Sequence, residues 1–333
     1  MTIKIGLIGC GGIAEKHVDG YLKVADQASV VAVCDVVTEN AEERSKQVGR
    51  ANIFSDYNVM LVNAEIDAVD ICLPHHLHKD AIVAAANAKK NILCEKPLCL
   101  TLEEASAVQK AIDANGVTLM CAHNQLTMPP VAQAKAMIEQ GTIGQVYEIR
   151  TTDSFYHTFD LSTIGWRAHR SMIGGGELID TGYHPTYLLL YLAGSKPTEV
   201  TAMISNHRLH FIDGEDSAQV LVRFANGSVG NIVTSWAYEP ASITEKFSVV
   251  AEKGYLYSYG SDLFYKVRGG EQQTIELPMI NTFDAEIADF ITCLREGRRP
   301  VNTEVEGINV LKVILGAYQS IAEKRTVVLE DME

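Results

Sequence analysis

Along the first third of the chain, short apolar runs alternate with stretches of helical period. "IKIGLIG" (3–9) predicts a strand, and the spacing of Ile13, His17, Val18, Tyr21, Leu22 and Ala25 predicts the helix behind it. "SVVAVCD" (29–35) is a second β-rich run, followed by a helix over 41–48. "AVDICLP" (68–74) and "NILCEKP" (91–97) flank a short alanine-rich helix over 79–88. A further helix over 102–114 has Thr101 as N-cap with Glu104 three residues on, before "GVTLMCA" (116–122) closes the series. Strands this apolar have no wet face. Their alternation with helices therefore predicts a doubly wound, Rossmann-type parallel sheet covered on both sides.

Near residue 125 the pattern changes. After a helix over 131–139, the period drops to two in "QVYEIRTTD", "TEVTAMIS", "SAQVLVRF", "SVGNIVTSW" and "EKFSVVAE". Asn226-Gly227 between two of these runs is a hairpin signal. Helices over 284–295 and 304–323 and a last run, "TVVLE", end the chain. The second half thus predicts an α/β domain with a large, mostly antiparallel open sheet carrying helices on one face. The expected division is 1–124 and 125–333.

Composition narrows the function. A net charge of −14 disfavours a nucleic-acid partner, because phosphate recognition needs a basic surface. No apolar run approaches the ~20 residues of a membrane-spanning helix, so no membrane partner is expected. The start of the chain shows neither a basic segment nor a cleavage site, and a cytoplasmic protein is expected. The 7 cysteines form no C-x-x-C pair and read as buried free thiols.

The first βα turn reads Gly9-Cys10-Gly11-Gly12-Ile13-Ala14, the G-x-G-x-x-A form of a dinucleotide turn. Its glycines allow a tight turn and close approach of a pyrophosphate, and Ala14 lets helix and strand pack closely. Asp35, at the end of the second β run, can accept from ribose hydroxyls and would repel a 2′-phosphate. The expected cofactor is NAD. At the end of the strand run 91–97 lies Lys96, in "CEKP", where an ammonium can stabilise developing alkoxide charge. In "GGGELIDTGYHPTYLLLYLAG" (174–194), Glu177, Asp180 and His184 have the spacing of one helical face, ahead of an apolar run. Glu177 reads as a first-turn acid favoured by the helix dipole.

Together, "GLIGCGGIAEKH", "CEKP", "GGGELIDTGYH" and "EDSAQVLVRFANGSVG" resemble the Gfo/Idh/MocA oxidoreductases, the glucose-fructose oxidoreductase and inositol dehydrogenase group. The resemblance spans nearly the whole chain. It implies NAD(P)-linked chemistry at a sugar or polyol carbon, and a homodimer or homotetramer formed through the C-terminal sheet. It makes Lys96 the family's EKP lysine, and Asp180 and His184 its D-x-x-x-H pair. His184 would accept the hydroxyl proton, while Asp180 would orient it or bind an adjacent hydroxyl.

Departures from the family pattern are visible. Pro185 directly follows His184, which predicts a kink or a later helix start. Many relatives read T-P-N-x-x-H after the fourth strand. Here the run is Leu73-Pro74-His75-His76-Leu77-His78, so His75 replaces the asparagine. Leu73, Pro74, His75 and His78 join Glu95 and Lys96 as expected cofactor-side residues. In "AHNQLTMPP" Leu126 stands where an arginine is often found; Asn124 remains a substrate-side candidate. In "FYHTFDLSTIGWRAHR" the candidates to line a sugar pocket are Tyr156, His157, Trp166 and Arg167. No metal is expected, since neither "HHLH" nor Glu177/Asp180/His184 has a recognisable zinc spacing. The same residues would serve an enzyme that retains NAD and oxidises a sugar transiently, for glycoside cleavage or epimerisation. A non-enzymatic NAD-sensing regulator is the other alternative.

Overall fold

The computed structural model describes residues 2–239 and 245–332. The first strands and helices are β1 (Ile3–Ile8), α1 (Gly12–Lys23), β2 (Ala28–Cys34), α2 (Thr38–Gln47) and β3 (Asn52–Phe54). Next come α3 (Tyr57–Asn63), β4 (Ala68–Ile71), α4 (His78–Asn87), β5 (Asn91–Glu95), α5 (Leu102–Asn115) and β6 (Leu119–Ala122). The sheet order is β3-β2-β1-β4-β5-β6, with every pairing parallel. This is a Rossmann sheet, and its strand order reverses between β1 and β4. All four residues of β4 and of β6 are buried, as expected of strands covered on both faces. The predicted cap at α5 forms: the Thr101 hydroxyl accepts from Glu104 N–H (3.1 Å), and the Glu104 carboxylate accepts from Leu100 N–H (2.7 Å). β3 and α3 have no counterpart in the sequence reading. Both are short, and β3 is largely exposed, so neither carries a clear period.

The chain continues through α6 (Pro129–Glu139), β7 (Val146–Ser154), α7 (Arg170–Ile173), α8 (Glu177–Asp180) and α9 (Tyr183–Ala193). Then follow β8 (Pro197–Ser205), β9 (Ser217–Phe224), β10 (Val229–Ser235), β11 (Phe247–Ala251), β12 (Gly254–Tyr259), β13 (Asp262–Val267) and β14 (Gln273–Ile275). Last are α10 (Thr282–Glu296), α11 (Glu304–Glu323) and β15 (Val327–Val328). The second sheet has the order β14-β13-β12-β11-β7-β10-β9-β8-β15. Its pairings are antiparallel except β7 with β10. Gly227, at φ 86°, makes the expected turn between β9 and β10. Helix α9 packs on β7 and β10, where Gly230 gives Leu189 its room: a Cβ there would lie 2.5 Å from Leu189 Cδ2. On the opposite face the strand register aligns Thr201, Leu221, Asn231, Arg150, Ser248, Tyr257 and Phe264.

Two compact units result: Met1–Asn124 with Asn281–Ile308, and Gln125–Ile280 with Asn309–Glu333. The division 1–124 and 125–333 therefore needs a correction, because the segment 281–308 packs with the first unit. The reason is the apolar face of α10. Ile287, Phe290 and Ile291 share one buried cluster with Leu7, Val18 and Tyr21. Gly20 admits Ile287, whose Cγ1 would stand 2.8 Å from a Cβ at that position.

Candidate functional site

In the first unit, Gly9 lies at φ 89°, and a Cβ there would sit 2.4 Å from the Cys72 carbonyl oxygen. No other residue type fits that turn. Gly11 and Gly12, by contrast, have open space on their Cβ side at the start of α1, which leaves room for a ligand at the helix N-terminus. Ala14 is fully buried, which explains the need for a small residue. Asp35 closes the turn: its Oδ2 accepts from Cys10 N–H (2.7 Å) and its Oδ1 from Val37 N–H (2.8 Å). An ionised carboxylate has about four acceptor positions, so each Asp35 oxygen keeps one for a ribose hydroxyl. The open glycine edge, the helix N-terminus and this carboxylate together fit a dinucleotide. Cys10 takes no nucleophilic part, since burial beside Asp35 pushes its thiol up to about 12.

At the carboxyl ends of β4 and β5, His78 is fully buried, with Nδ1 2.6 Å from the Pro97 carbonyl and Nε2 2.8 Å from that of Leu73. Burial lowers its proton affinity, so the neutral ring carries one N–H and donates to one of these two carbonyls. His75 is also buried, whereas Leu73 and Pro74 are half exposed. Asn124 donates to the Thr282 hydroxyl (3.0 Å). Lys96 is half-buried and precedes a cis bond to Pro97. The Glu95 carboxylate points inward: Oε2 accepts from Lys96 N–H (3.0 Å), and Oε1 from His17 Nε2 (3.0 Å).

The second unit revises the expected single helical face. Glu177 and Asp180 lie on the one-turn helix α8, and His184 lies on α9. Between them, Gly182 N–H reaches the Glu177 carbonyl (2.9 Å) and His184 N–H the Thr181 carbonyl (3.0 Å). Pro185 falls in the first turn of α9, where an absent N–H costs nothing. Asp180, 3% exposed, takes the Arg167 guanidinium at 2.6 Å. His184 Nδ1 lies 2.8 Å from the Tyr187 hydroxyl, which also accepts from Gln125 N–H (3.1 Å). Of the expected pocket-lining residues, the structure brings Arg167 to Asp180 and lays its guanidinium 4.4 Å over Trp166. Tyr156 is about half exposed under the Arg208 guanidinium (4.0 Å), and the His157 ring stacks on Phe159.

Glu177 is fully buried in contact with the Thr234 hydroxyl, and burial raises its pKa well above the usual carboxylate range. The hydrogen-bond count supports the neutral form. Thr234 has one hydroxyl proton, which the Asp153 carbonyl takes at 2.9 Å, so the carboxyl group must supply the proton of its own contact. A neutral acid gains nothing from the helix dipole, so the expected first-turn acid is instead a buried, hydrogen-bonded group. The sequence reading missed Tyr187, Arg208 and the role of His17. Tyr187 sits three residues after His184, a helical neighbour hidden within "YLLLYL". His17 was visible as a histidine on the otherwise largely apolar buried face of α1.

Residues 3–123 match the oxidoreductase family with an NAD-binding Rossmann fold, and residues 131–257 match the GFO/IDH/MocA C-terminal domain. A levoglucosan dehydrogenase of Pseudarthrobacter phenanthrenivorans is 32% identical over 261 residues, 69% of this chain and 67% of the relative. The chain belongs to the Gfo/Idh/MocA oxidoreductases. A myo-inositol 2-dehydrogenase of Thermotoga maritima is 25% identical over 345 residues, 99% of either chain. Among solved structures, a levoglucosan dehydrogenase in complex with NADH and levoglucosan superposes with a TM-score of 0.90 at 26% identity, covering 98% of this chain and 99% of the other. This family member is thus an NAD-binding oxidoreductase, as the glycine turn and Asp35 led the sequence reading to expect. Among the described residues no helix is long and apolar enough to cross a membrane.

Proposed function

We propose that this chain oxidises a secondary hydroxyl of a sugar, sugar derivative or inositol, or reduces the corresponding ketone. The glycine turn holds NAD with Asp35 on the ribose, and NAD when bound supplies the hydride acceptor. Lys96 donates to the reacting oxygen and stabilises its alkoxide-like charge. His184 takes the hydroxyl proton. With Nδ1 engaged by Tyr187, proton acceptance falls to Nε2. Asp180, held by Arg167, receives an adjacent hydroxyl. The observation that carries this reading is the His184–Tyr187 contact, because it gives an expected general base a fixed ring orientation. Similarity to dehydrogenases of levoglucosan and myo-inositol supports the substrate class.

The test is NADH absorbance with NAD or NADP and a panel of inositols, anhydro sugars, aldoses and glycosides. Substrate-dependent NADH formation that His184→Ala and Lys96→Ala each reduce at least 100-fold is expected. Full turnover in either variant would remove that residue from the reaction. The protein is further proposed to be cytoplasmic and to form a homodimer or homotetramer through the open face of its C-terminal sheet. Light scattering that gave a monomer would refute the assembly.

A further inference from the structure

The first unit contains a buried polar cluster into which Glu95, expected on the cofactor side, turns its carboxylate. His17, on α1, has no exposed surface. Its Nδ1 lies 2.9 Å from Asp70 Oδ2 on β4, and its Nε2 3.0 Å from Glu95 Oε1 at the end of β5. Both ring nitrogens face carboxylate oxygens, so both are donors and the ring is an imidazolium between two carboxylates. Burial by itself would lower the proton affinity of His17, but the charge of Asp70 and its hydrogen bond outweigh it and hold the ring protonated well above its ordinary range. Burial works against ionised Glu95 too, and the His17 hydrogen bond together with Lys96 keeps its pKa below the usual value. Glu286, from α10, also faces the cluster; burial raises it well above its ordinary range, so it adds no charge. Tyr21, Cys72 and His123 complete the surroundings, and burial holds each of them neutral, His123 down to about 3.

His17, Asp70 and Cys72 lie close enough together to suggest a cation site. Both His17 nitrogens already donate to carboxylates, so the ring has no lone pair to offer a metal. The consequence lies on the other side of Glu95. Its second oxygen accepts the backbone N–H of Lys96 at 3.0 Å, so a carboxylate fixed at both oxygens sets where the Lys96 backbone stands. We infer that His17 is a positioning residue: through Asp70 and Glu95 it holds the Lys96 backbone in the place from which the ammonium reaches the reacting oxygen. This rests on the role proposed for Lys96.

Nitrogen-15 spectra of histidine-labelled protein test the brace without any turnover. One ring that stays doubly protonated through pH 8, and whose signals move in Glu95→Gln, is expected; its absence overturns the inference. Kinetics test the consequence, using NADH formation from the panel above. His17→Gln and Glu95→Gln should each lower kcat 10- to 100-fold, with KM and NAD affinity within threefold. Conversion of Glu95 to glutamine keeps the shape of the side chain, so it reports on the brace even where His17→Gln fails to fold. Unchanged kcat in Glu95→Gln alongside inactive Lys96→Ala would overturn the inference and leave the role of Lys96 intact. Full activity in Lys96→Ala would refute the proposed catalytic role itself, whatever the spectra show.

Discussion

Replacing Asp35 with serine should convert an NAD site into one that accepts NADP. The carboxylate uses one acceptor position on each oxygen to hold Cys10 N–H and Val37 N–H, leaving one on each. A hydrogen bond to a charged acceptor contributes about 2 kcal/mol, so losing one ribose contact should weaken NAD ~30-fold. A 2′-phosphate in place of that hydroxyl, of charge about −2, would be repelled by roughly 3 kcal/mol at ~5 Å and an effective dielectric constant of ~40. Removing the carboxylate abolishes this repulsion. The two effects act in the same direction on the Kd ratio, and their sum approaches about 5 kcal/mol. Loosening of the turn would weaken both cofactors alike and cancels in the ratio. Titration calorimetry of NAD and NADP should therefore show the ratio moving at least ~100-fold toward NADP. Asp35→Asn separates charge from shape, since the amide keeps one acceptor for the turn. A ratio within threefold of the parent in both variants would refute the role given to Asp35.

Tyr187→Phe removes the hydroxyl beside His184 Nδ1 and should lower kcat ~10-fold with KM within threefold, read from initial rates; an unchanged kcat would mean the contact does not orient the base. Glu177→Gln keeps the buried contact with Thr234 but cannot ionise. A carboxyl whose folded pKa is raised contributes stability that is complete below ~4 and declines as pH rises, so the variant should equal the parent at pH 4 and melt higher at pH 8. Asp216 has the opposite sign. Burial works against its charge, but its carboxylate accepts from His207, Arg208 and Leu209 N–H and from Ser217, and its pKa is lowered. Its contribution is present above ~4 and is lost as pH falls further, so Asp216→Asn should cost about 2–4 kcal/mol at pH 7 and flatten the acid limb of denaturant stability. Gly20→Ala would drive a methyl into Ile287 and should destabilise the first unit by about 1–3 kcal/mol in chemical denaturation.

Sequence alone determined what depends on near neighbours. The Thr101 cap, the Gly9 turn and the Asn226-Gly227 hairpin need only residues a few positions apart, and each forms as read. The parallel sheet followed from strands too apolar to meet water. Pro185 could be read only halfway: the chain predicted a kink or a later helix start beside His184, but not that Gly182 would mark the break. Other features were decided by contacts between distant segments. Nothing near residue 281 says that α10 returns to α1; the fit of Ile287 over Gly20 decides it. Arg167 and Asp180 meet because a loop folds back on α8, a pairing that no period encodes. The charge of a buried group is the clearest case. His17 and Glu177 are the same residue types found on any surface, yet burial and the lone pairs around them make one an imidazolium and the other a neutral acid. Only the packed structure brings Asp70 and Glu95 to His17, residues 53 and 78 positions away.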